Sequence, residues 1–236
     1  MTKHIGIISC SAEGAALCYR TICIEGSNLM GQYNHPEITM HGFSFSEYMR
    51  YIEAQEWENV ANLMLSSVVK VAKSGAQFAI CPDNTIHQAF PLVVGKSPIP
   101  WLHIAKEVAV EAKRKNYKRV LVLGTRFLME GPVYPDILHA MGIEYRIPEI
   151  KDRELINEII FHELIWGRFS SEARTYFNKV INRFKKQRCE AVVLGCTELP
   201  LLITQENSPL PVLDSTRLLA RAALKEAIEP KYANKD

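Results

Sequence analysis

Two short stretches place reactive polar side chains directly after apolar runs. Residues 80–87 read Ile-Cys-Pro-Asp-Asn-Thr-Ile-His, and residues 194–199 read Leu-Gly-Cys-Thr-Glu-Leu. The second stretch offers a thiol at Cys196, and the first offers a carboxylate, Asp83, at what looks like the matching place. Thiols and carboxyls can both give and take a proton, so the pair predicts acid–base chemistry at two strand ends.

Each stretch also has a purely structural interpretation. Most free cysteines are small buried hydrophobes, although Gly195 lets the chain turn sharply and free N–H groups after it would favour a thiolate at Cys196. An Asp-Asn-Thr run after a strand is an ordinary helix N-cap cluster. His87, one turn further along, could orient Asp83 or simply cap and pack, and the sequence leaves both interpretations open.

Short apolar runs that alternate with amphipathic stretches must position these groups. The predicted strands are Ile5–Ser9, Ile38–His41, Gln77–Cys81, Arg119–Leu123, Glu144–Ile147 and Ala191–Leu194. The predicted helices are Ala12–Ile24, Trp57–Ser74, His103–Asn116, Arg153–Trp166, Ser171–Gln187 and Ser215–Ile228. Continuous β-branched strands between helices are typical of a parallel sheet that is covered on both faces.

The chain also repeats itself in order. Lys-led strands begin near Ile5 and Val120, two further strands precede Asp83 and Cys196, and Ser-Pro-x-Pro segments end at Pro100 and Pro211. The offsets between these positions are 115, 113 and 111, respectively. Three matches in the same order at a nearly constant offset indicate an internal repeat.

The repeat predicts an α/β fold of two pseudo-symmetric, doubly wound lobes, each with a mainly parallel sheet. We expect residues 1–101 with 215–236 to form lobe one and residues 102–214 to form lobe two. Ligands of such sheets bind at the carboxyl ends of strands. The predicted active site is therefore the cleft between the lobes.

Composition excludes several other classes of protein. The chain has 236 residues and a formal net charge of +2, so neither disorder nor a nucleic-acid partner is expected. No apolar run approaches the length of a membrane span, and the N-terminus lacks the pattern of a signal peptide. The six cysteines show no zinc-like spacing and predict reduced thiols in the cytoplasm, with no metal site.

The two motifs resemble those of the cofactor-independent aspartate/glutamate racemase superfamily. Its members carry Cys-Asn-Thr-x-His in the first lobe and Gly-Cys-Thr-Glu in the second. The corresponding residues here are 83–87, which read Asp-Asn-Thr-Ile-His, and 195–198, which read Gly-Cys-Thr-Glu. The resemblance extends over nearly the whole chain, through His35-Pro36, Gly124-Thr125, Ile159-Ile160-Phe161 and Pro211-Val212-Leu213-Asp214.

The resemblance implies a two-base mechanism without a cofactor, in which one group removes the α-proton of an amino acid and an opposed group donates to the other face. Asp83 and Cys196 would be the catalytic pair, with Glu198 and His87 in support. It also implies a homodimer that acts on a small carboxylic or amino acid. The residues that would bind the substrate are Asn84, Thr85, Thr125, Thr197 and Cys10.

The sequence departs from the family pattern in three places. Asp83 replaces the first thiol, the loop usually rich in glycine reads Ser-Cys-Ser-Ala-Glu-Gly at 9–14, and a lysine that some members use for the side-chain carboxylate is absent after Gly167. A carboxyl is a weaker base than a thiol by about 4.6 pH units. We therefore expect Cys196 to act as the base, with Asp83 as the opposing proton donor or relay.

Neighbouring groups leave alternatives open. Cys81 lies two residues before Asp83 and is a less favoured reacting thiol, and the candidate cations for carboxylate recognition are Arg20, Arg50, Arg126 and Arg168. The first functional hypothesis is an amino-acid racemase that is strongly one-sided. The others are a single-cysteine decarboxylase or isomerase of the same superfamily and a catalytically silent carboxylate-binding protein.

Overall fold

The computed structural model describes residues 2–228 and divides into two compact units. Within the described residues, unit 1 comprises 2–104 with 216–228, and unit 2 comprises Ala105–Ser215. The sequence predicted lobe boundaries at 101/102 and 214/215, and both lie within three residues of these limits. Met1 and residues 229–236 of the predicted first lobe lie outside the described range.

The elements that precede residue 104 alternate between strands and helices. They are β1 (Ile5–Ser9), α1 (Ala12–Met30), β2 (Ile38–Gly42), α2 (Phe45–Glu53), α3 (Trp57–Lys73), β3 (Phe78–Ile80), a 3₁₀ helix (Thr85–Ala89) and α4 (Phe90–Val94). Strands β1 and β3 are almost wholly buried, as expected for apolar strands inside a parallel sheet.

The second half repeats this alternation. Its elements are α5 (Ile104–Arg114), β4 (Arg119–Leu123), α6 (Arg126–Met129), α7 (Pro135–Ala140), β5 (Glu144–Arg146), α8 (Ile150–His162), a 3₁₀ helix (Leu164–Trp166), α9 (Ser171–Lys186), β6 (Ala191–Leu194), α10 (Leu199–Leu202), β7 (Val212–Asp214) and α11 (Ser215–Ile228). Leu219 and Ala223 of α11 share one hydrophobic core with Ile5 and Ile7, so the chain returns to unit 1.

The three strands of the first sheet follow the same parallel order as three of the four strands of the second. In unit 1 it is β2-β1-β3, and in unit 2 it is β5-β4-β6-β7. The chain of unit 1 adds an isolated parallel bridge between Ala79 and Trp101 at the place where unit 2 has β7. In each unit the strand order reverses between the first strand and the third, and such switch points are where ligands of open α/β sheets bind.

The internal repeat extends to individual hydrogen bonds. The N–H of Ala79 donates to the carbonyl of Pro100 at 2.8 Å, and the N–H of Val192 donates to that of Pro211 at 2.9 Å. Each Ser-Pro-x-Pro segment closes the same turn, because the serine hydroxyl donates to the carbonyl two residues on, at 2.6 Å for Ser97 and 2.7 Å for Ser208. The two halves are therefore similar in backbone detail as well as in topology.

The α/β class and the two parallel sheets are confirmed, with differences at the ends of elements. The helix predicted over Arg153–Trp166 begins earlier, at Ile150, and ends at His162 before a separate 3₁₀ turn. Several short helices were not predicted, including α2, α6 and α10, because four to nine residues hold too few turns for a 3.6-residue pattern to show. Over residues 2–228, no helix is long and apolar enough to cross a membrane.

Candidate functional site

The Asp83 carboxylate lies against the start of α1, at the switch point of unit 1. It accepts hydrogen bonds from the N–H of Ser11, at 3.2 Å to each oxygen, and from the N–H of Cys10 at 3.3 Å. Ser11 is the N-cap of α1, where N–H groups lack helical partners and favour a negative charge. Asp83 is therefore a buried carboxylate, 8% exposed, with donors that stabilise its ionised form.

The N-cap interpretation of this stretch is only partly correct. Asn84 makes no side-chain cap bond to the 3₁₀ helix that follows it. Asp83 instead binds the start of a helix 72 residues earlier in the chain. A local sequence pattern cannot reveal this contact, because it depends on the pairing of β1 with β3.

His87 supports the backbone at Asp83. Its Nδ1 lies 2.8 Å from the Asp83 carbonyl oxygen, and its Nε2 accepts from the N–H of Ile104 at 3.5 Å. This arrangement assigns the proton of the neutral ring to Nδ1. Burial, and then the neighbouring His103, hold the pKa of His87 well below its usual value. His87 therefore both packs and orients the Asp83 segment, which answers the alternative left open by the sequence.

The lowered pKa of His87 makes stability depend on pH. Below about pH 6.5 the unfolded chain binds a proton that the buried ring does not, so the free energy of unfolding should fall as the pH falls. Asparagine at position 87 can keep the donor to Asp83 while removing this titration. Urea unfolding between about pH 7 and pH 5 should give a shallower pH dependence for His87→Asn than for wild type. Equal slopes would contradict the neutral, buried state of His87.

The two cysteines near Asp83, Cys81 and Cys10, make different contacts with it. Cys81 is fully buried, with its sulfur 3.9 Å from the Asp83 carbonyl oxygen. Burial, and then the Asp83 charge, raise the pKa of the Cys81 thiol well above its usual value, so it stays protonated. Cys10 contributes its backbone N–H to Asp83, and its contact with substrate stays a prediction.

Cys196 and Glu198 form a buried pair at the end of β6. The Cys196 thiol donates to Oε2 of Glu198 at 2.9 Å, and the two residues are 8% and 4% exposed. Thr197 between them is also buried. The carboxylate is thus in direct position to take the thiol proton, which is the arrangement that activates a cysteine.

Gly195 allows this loop to pass close to the end of β4. Its N–H donates to the Leu123 carbonyl at 2.7 Å, and an added Cβ would lie 2.4 Å from Cδ2 of Leu128 and 3.0 Å from the Leu123 oxygen. A side chain here would push the loop that carries Cys196 away from β4. A residue larger than glycine at position 195 would therefore displace its neighbours.

This crowding predicts the effect of a single methyl group. Gly195→Ala should lower the free energy of unfolding by about 1–3 kcal/mol, because overpacking of a tight site is destabilising. Gly95→Ala is the matched control, since Gly95 is exposed and nothing lies within 4 Å of its added Cβ. Urea denaturation of both variants measures the difference, and equal stabilities would contradict the close approach.

The predicted carboxylate binders each follow a strand of one of the two sheets. Thr125 follows β4 and is the N-cap of α6, where its Oγ1 accepts from the N–H of Leu128 at 3.3 Å. In unit 1, Asn84 is buried and Thr85 begins the 3₁₀ helix.

All four candidate arginines (Arg20, Arg50, Arg126 and Arg168) are exposed. Within residues 2–228, no cluster of three or more His, Cys, Asp or Glu side chains could hold a metal ion.

The sequence profile of the Asp/Glu/Hydantoin racemase family matches residues 5–223. The chain belongs to this family. Its fold resembles that of a candidate Asp/Glu racemase from Yersinia pestis, with 30% identity, a TM-score of 0.88 and coverage of 96% of this chain and 99% of that one. An aspartate racemase homologue from Pyrococcus horikoshii OT3 gives 30% identity, a TM-score of 0.82 and the same coverage.

A curated racemase is also similar to this chain in sequence. The broad specificity amino-acid racemase RacX of Bacillus subtilis (strain 168) is 22% identical over 177 residues, which cover 71% of this chain and 72% of RacX. These relatives support a racemase-type function for the chain. That Asp83 stands where the racemase family has its first cysteine stays a prediction from the motif.

Three residues of the Asp83 surroundings escaped the sequence interpretation. Ser11 donates its N–H to the carboxylate, and the Ser-Ala-Glu-Gly order at 11–14 does carry an N-cap signal. Tyr48 and Ser67 are buried near the same cluster. They come from the unpredicted helix α2 and from the middle of α3, where no local pattern marks a polar residue as functional.

Proposed function

We propose that the chain is a cofactor-independent racemase-type enzyme for aspartate, glutamate or a related small carboxylic acid. The α-proton would move between Cys196 and Asp83, with one direction strongly favoured. The observation that carries this proposal is the buried Cys196 thiol, 2.9 Å from the Glu198 carboxylate at the end of β6. Membership of the Asp/Glu/Hydantoin racemase family supports the reaction class.

The first step requires a thiolate. Glu198 takes the proton of Cys196, and the resulting thiolate removes the α-proton of the substrate. The electron pair of the broken C–H bond passes into the substrate carboxylate and forms an enediolate. Glu198 does not contact the α-carbon in this scheme and acts only through Cys196.

The developing negative charge needs hydrogen-bond donors. Side chains at the strand ends and free backbone N–H groups can supply them, because such donors are already fixed before reaction. The side chains proposed for this role are those of Asn84, Thr85, Thr125 and Thr197. Cys10 is also proposed to bind the substrate.

Asp83 returns a proton to the other face of the enediolate. Its N–H partners stabilise the carboxylate over the neutral acid that would donate this proton. Proton donation by Asp83 is therefore the slow step of the proposed reaction. Racemisation would then be slower than the removal and return of protons by Cys196.

The proposal is tested by incubation with each enantiomer of aspartate and glutamate in heavy water. Proton NMR should show loss of the α-proton signal for at least one enantiomer, and chiral chromatography should show slower appearance of its mirror image. If none of the four amino acids exchanges its α-proton, this substrate assignment is wrong.

The donors around Asp83 also favour a second candidate, a single-cysteine decarboxylase. If Asp83 only stabilises charge, Cys196 can still protonate an enediolate from one face after carbon dioxide leaves a substituted malonate. Release of carbon dioxide from phenylmalonate or methylmalonate, without α-proton exchange of amino acids, would favour this reaction over racemisation.

The cellular setting is proposed from the family resemblance. We propose a cytoplasmic homodimer that binds a small-molecule amino or carboxylic acid, with no nucleic-acid or membrane partner. Sedimentation velocity at several protein concentrations measures the oligomeric state. A monomer at all concentrations would contradict the dimer without affecting the chemistry at Cys196.

A further inference from the structure

The peptide group between Leu194 and Gly195 lies directly before Cys196, and hydrogen bonds hold both of its polar atoms. The N–H of Gly195 donates to the Leu123 carbonyl at 2.7 Å, and the Leu194 carbonyl accepts from the hydroxyl of Ser215 at 2.7 Å. All of these residues belong to unit 2. The proposed mechanism does not yet use the bond from Ser215.

The two bonds reach this peptide from opposite sides of β6. Strand β6 lies between β4 and β7, and Leu194 is paired with Leu123 of β4 and with Asp214 of β7. Because a trans peptide is planar, its C=O and its N–H point in opposite directions. The N–H of Gly195 therefore bonds to the end of β4, and the C=O of Leu194 bonds to Ser215, the first residue after β7. A peptide held at both ends in this way cannot rotate freely.

This restraint acts at the point where the direction of Cys196 is set. Gly195 has more rotational freedom than any other residue type, so glycine alone would leave the following loop poorly directed. The two bonds restrict ψ of Leu194 and φ of Gly195. Rotation about either angle would move the Cys196 thiol, which lies 2.9 Å from Oε2 of Glu198. The position of the thiol therefore depends on the peptide before it.

The hydroxyl hydrogen of Ser215 does not serve its own helix. A serine at the start of a helix commonly accepts a hydrogen bond from the first turn of that helix. Ser215 begins α11, yet its hydroxyl donates to a carbonyl 21 residues earlier in the chain. Ser215 and Leu194 are both fully buried, so loss of the hydroxyl would remove a donor from a carbonyl that is shielded from water.

The equivalent position of unit 1 has a different residue. The offset of 111 that relates Pro100 to Pro211 also relates Ile104 to Ser215, and these two residues begin α5 and α11. An isoleucine side chain cannot donate a hydrogen bond. The internal repeat alone therefore does not require a hydroxyl here, and the serine occurs in the half of the chain that carries Cys196.

We propose that Ser215 is a positioning residue for Cys196, because its hydroxyl fixes the peptide between Leu194 and Gly195. Ser215 does not touch the substrate in this scheme and acts through the backbone. Its effect on catalysis rests on the proposed function, in which Cys196 removes the α-proton. A thiol held in one place meets the α-carbon in the same geometry in every turnover.

The restraint is tested without turnover by amide hydrogen exchange in ¹⁵N-labelled protein. Ser215→Ala removes the hydroxyl, and the Gly195 amide should then exchange about tenfold faster relative to the Val192 amide. Val192 serves as the reference on the same strand, because its N–H donates to the Pro211 carbonyl at 2.9 Å. A general loss of stability would speed the exchange of both amides and leave their ratio unchanged.

Ser208→Ala is the matched control for the loss of a serine hydroxyl. The Ser208 hydroxyl also donates to a carbonyl of unit 2 at 2.7 Å, but that carbonyl belongs to Leu210 in the turn before β7. The ratio of Gly195 to Val192 exchange should not rise in this variant. The same ratio in wild type, Ser215→Ala and Ser208→Ala would overturn the proposal.

The consequence for catalysis is measured with the same variants. In Ser215→Ala, kcat for α-proton exchange should fall about tenfold while KM stays within about twofold of wild type, because the misplaced group acts on the substrate and does not bind it. Faster exchange of the Gly195 amide with an unchanged kcat would overturn the positioning role. A wild type that exchanges no amino acid would instead overturn the proposed function, and the amide ratio would still decide whether Ser215 fixes this peptide.

Discussion

Replacement of Cys196 by alanine should abolish α-proton exchange, with a loss of at least about a thousandfold in the exchange rate. The reason is that Cys196 is the thiol whose proton has a carboxylate acceptor 2.9 Å away, on Glu198. Alanine removes the only atom that touches the α-proton in the proposed step. The measurement is the loss of the α-proton signal by NMR in heavy water, with the enantiomer that wild type exchanges fastest.

Cys189→Ala provides the control for thiol loss. Cys189 is also buried in unit 2 but lies at the opposite end of β6, and burial raises its pKa to about 11. Its removal should leave the exchange rate within about twofold of wild type. Full exchange activity in Cys196→Ala would mean that another group removes the α-proton. The hydrogen bond from Cys196 to Glu198 would then have no role in catalysis.

The sequence predicted most of the framework because long elements carry strong periodic signals. Strands Ile5–Ser9, Arg119–Leu123 and Ala191–Leu194 were predicted with the bounds observed, since each is a continuous β-branched run. The internal repeat predicted two similar sheets, and the order β2-β1-β3 of the first matches the order β5-β4-β6 within the second. Family membership was also inferred from the motifs and is shown by the match over residues 5–223.

The surroundings of the candidate site could not be derived in the same way. The bond from Ser11 to Asp83 joins residues 72 positions apart, and its existence depends on how β1 pairs with β3. Tyr48 belongs to a helix of nine residues that the sequence pattern did not indicate. Such contacts are set by tertiary packing, so a local motif can name Asp83 but cannot show what holds it.

Asp83→Asn should separate proton exchange from racemisation. Asparagine keeps one oxygen to accept from the N–H groups of Cys10 and Ser11 but cannot carry a proton to the substrate. Cys196 should still remove and return the α-proton on one face, so deuterium enters with retained configuration. Formation of the opposite enantiomer should fall by at least about a hundredfold. Mass spectrometry with chiral separation measures both rates in one sample.

Asp83→Cys should act in the opposite direction. A thiol is a stronger base than a carboxyl by about 4.6 pH units, so a thiol at position 83 can both remove and return the α-proton more readily than the carboxyl. The variant should therefore exchange both enantiomers, with a ratio of the two rates nearer to one than in wild type. Its circular dichroism and melting temperature would be compared with those of Asp83→Asn to separate chemistry from folding.

The two variants together decide what Asp83 does. Slow racemisation in wild type, none in Asp83→Asn and faster two-way racemisation in Asp83→Cys would mean that the carboxyl is a working but weak proton donor. Racemisation by Asp83→Asn at the wild-type rate would exclude Asp83 as a proton carrier. In that case the Asp83 carboxylate, held by the N–H groups of Cys10 and Ser11, transfers no proton. The proton that returns to the substrate must then come from solvent or from another side chain.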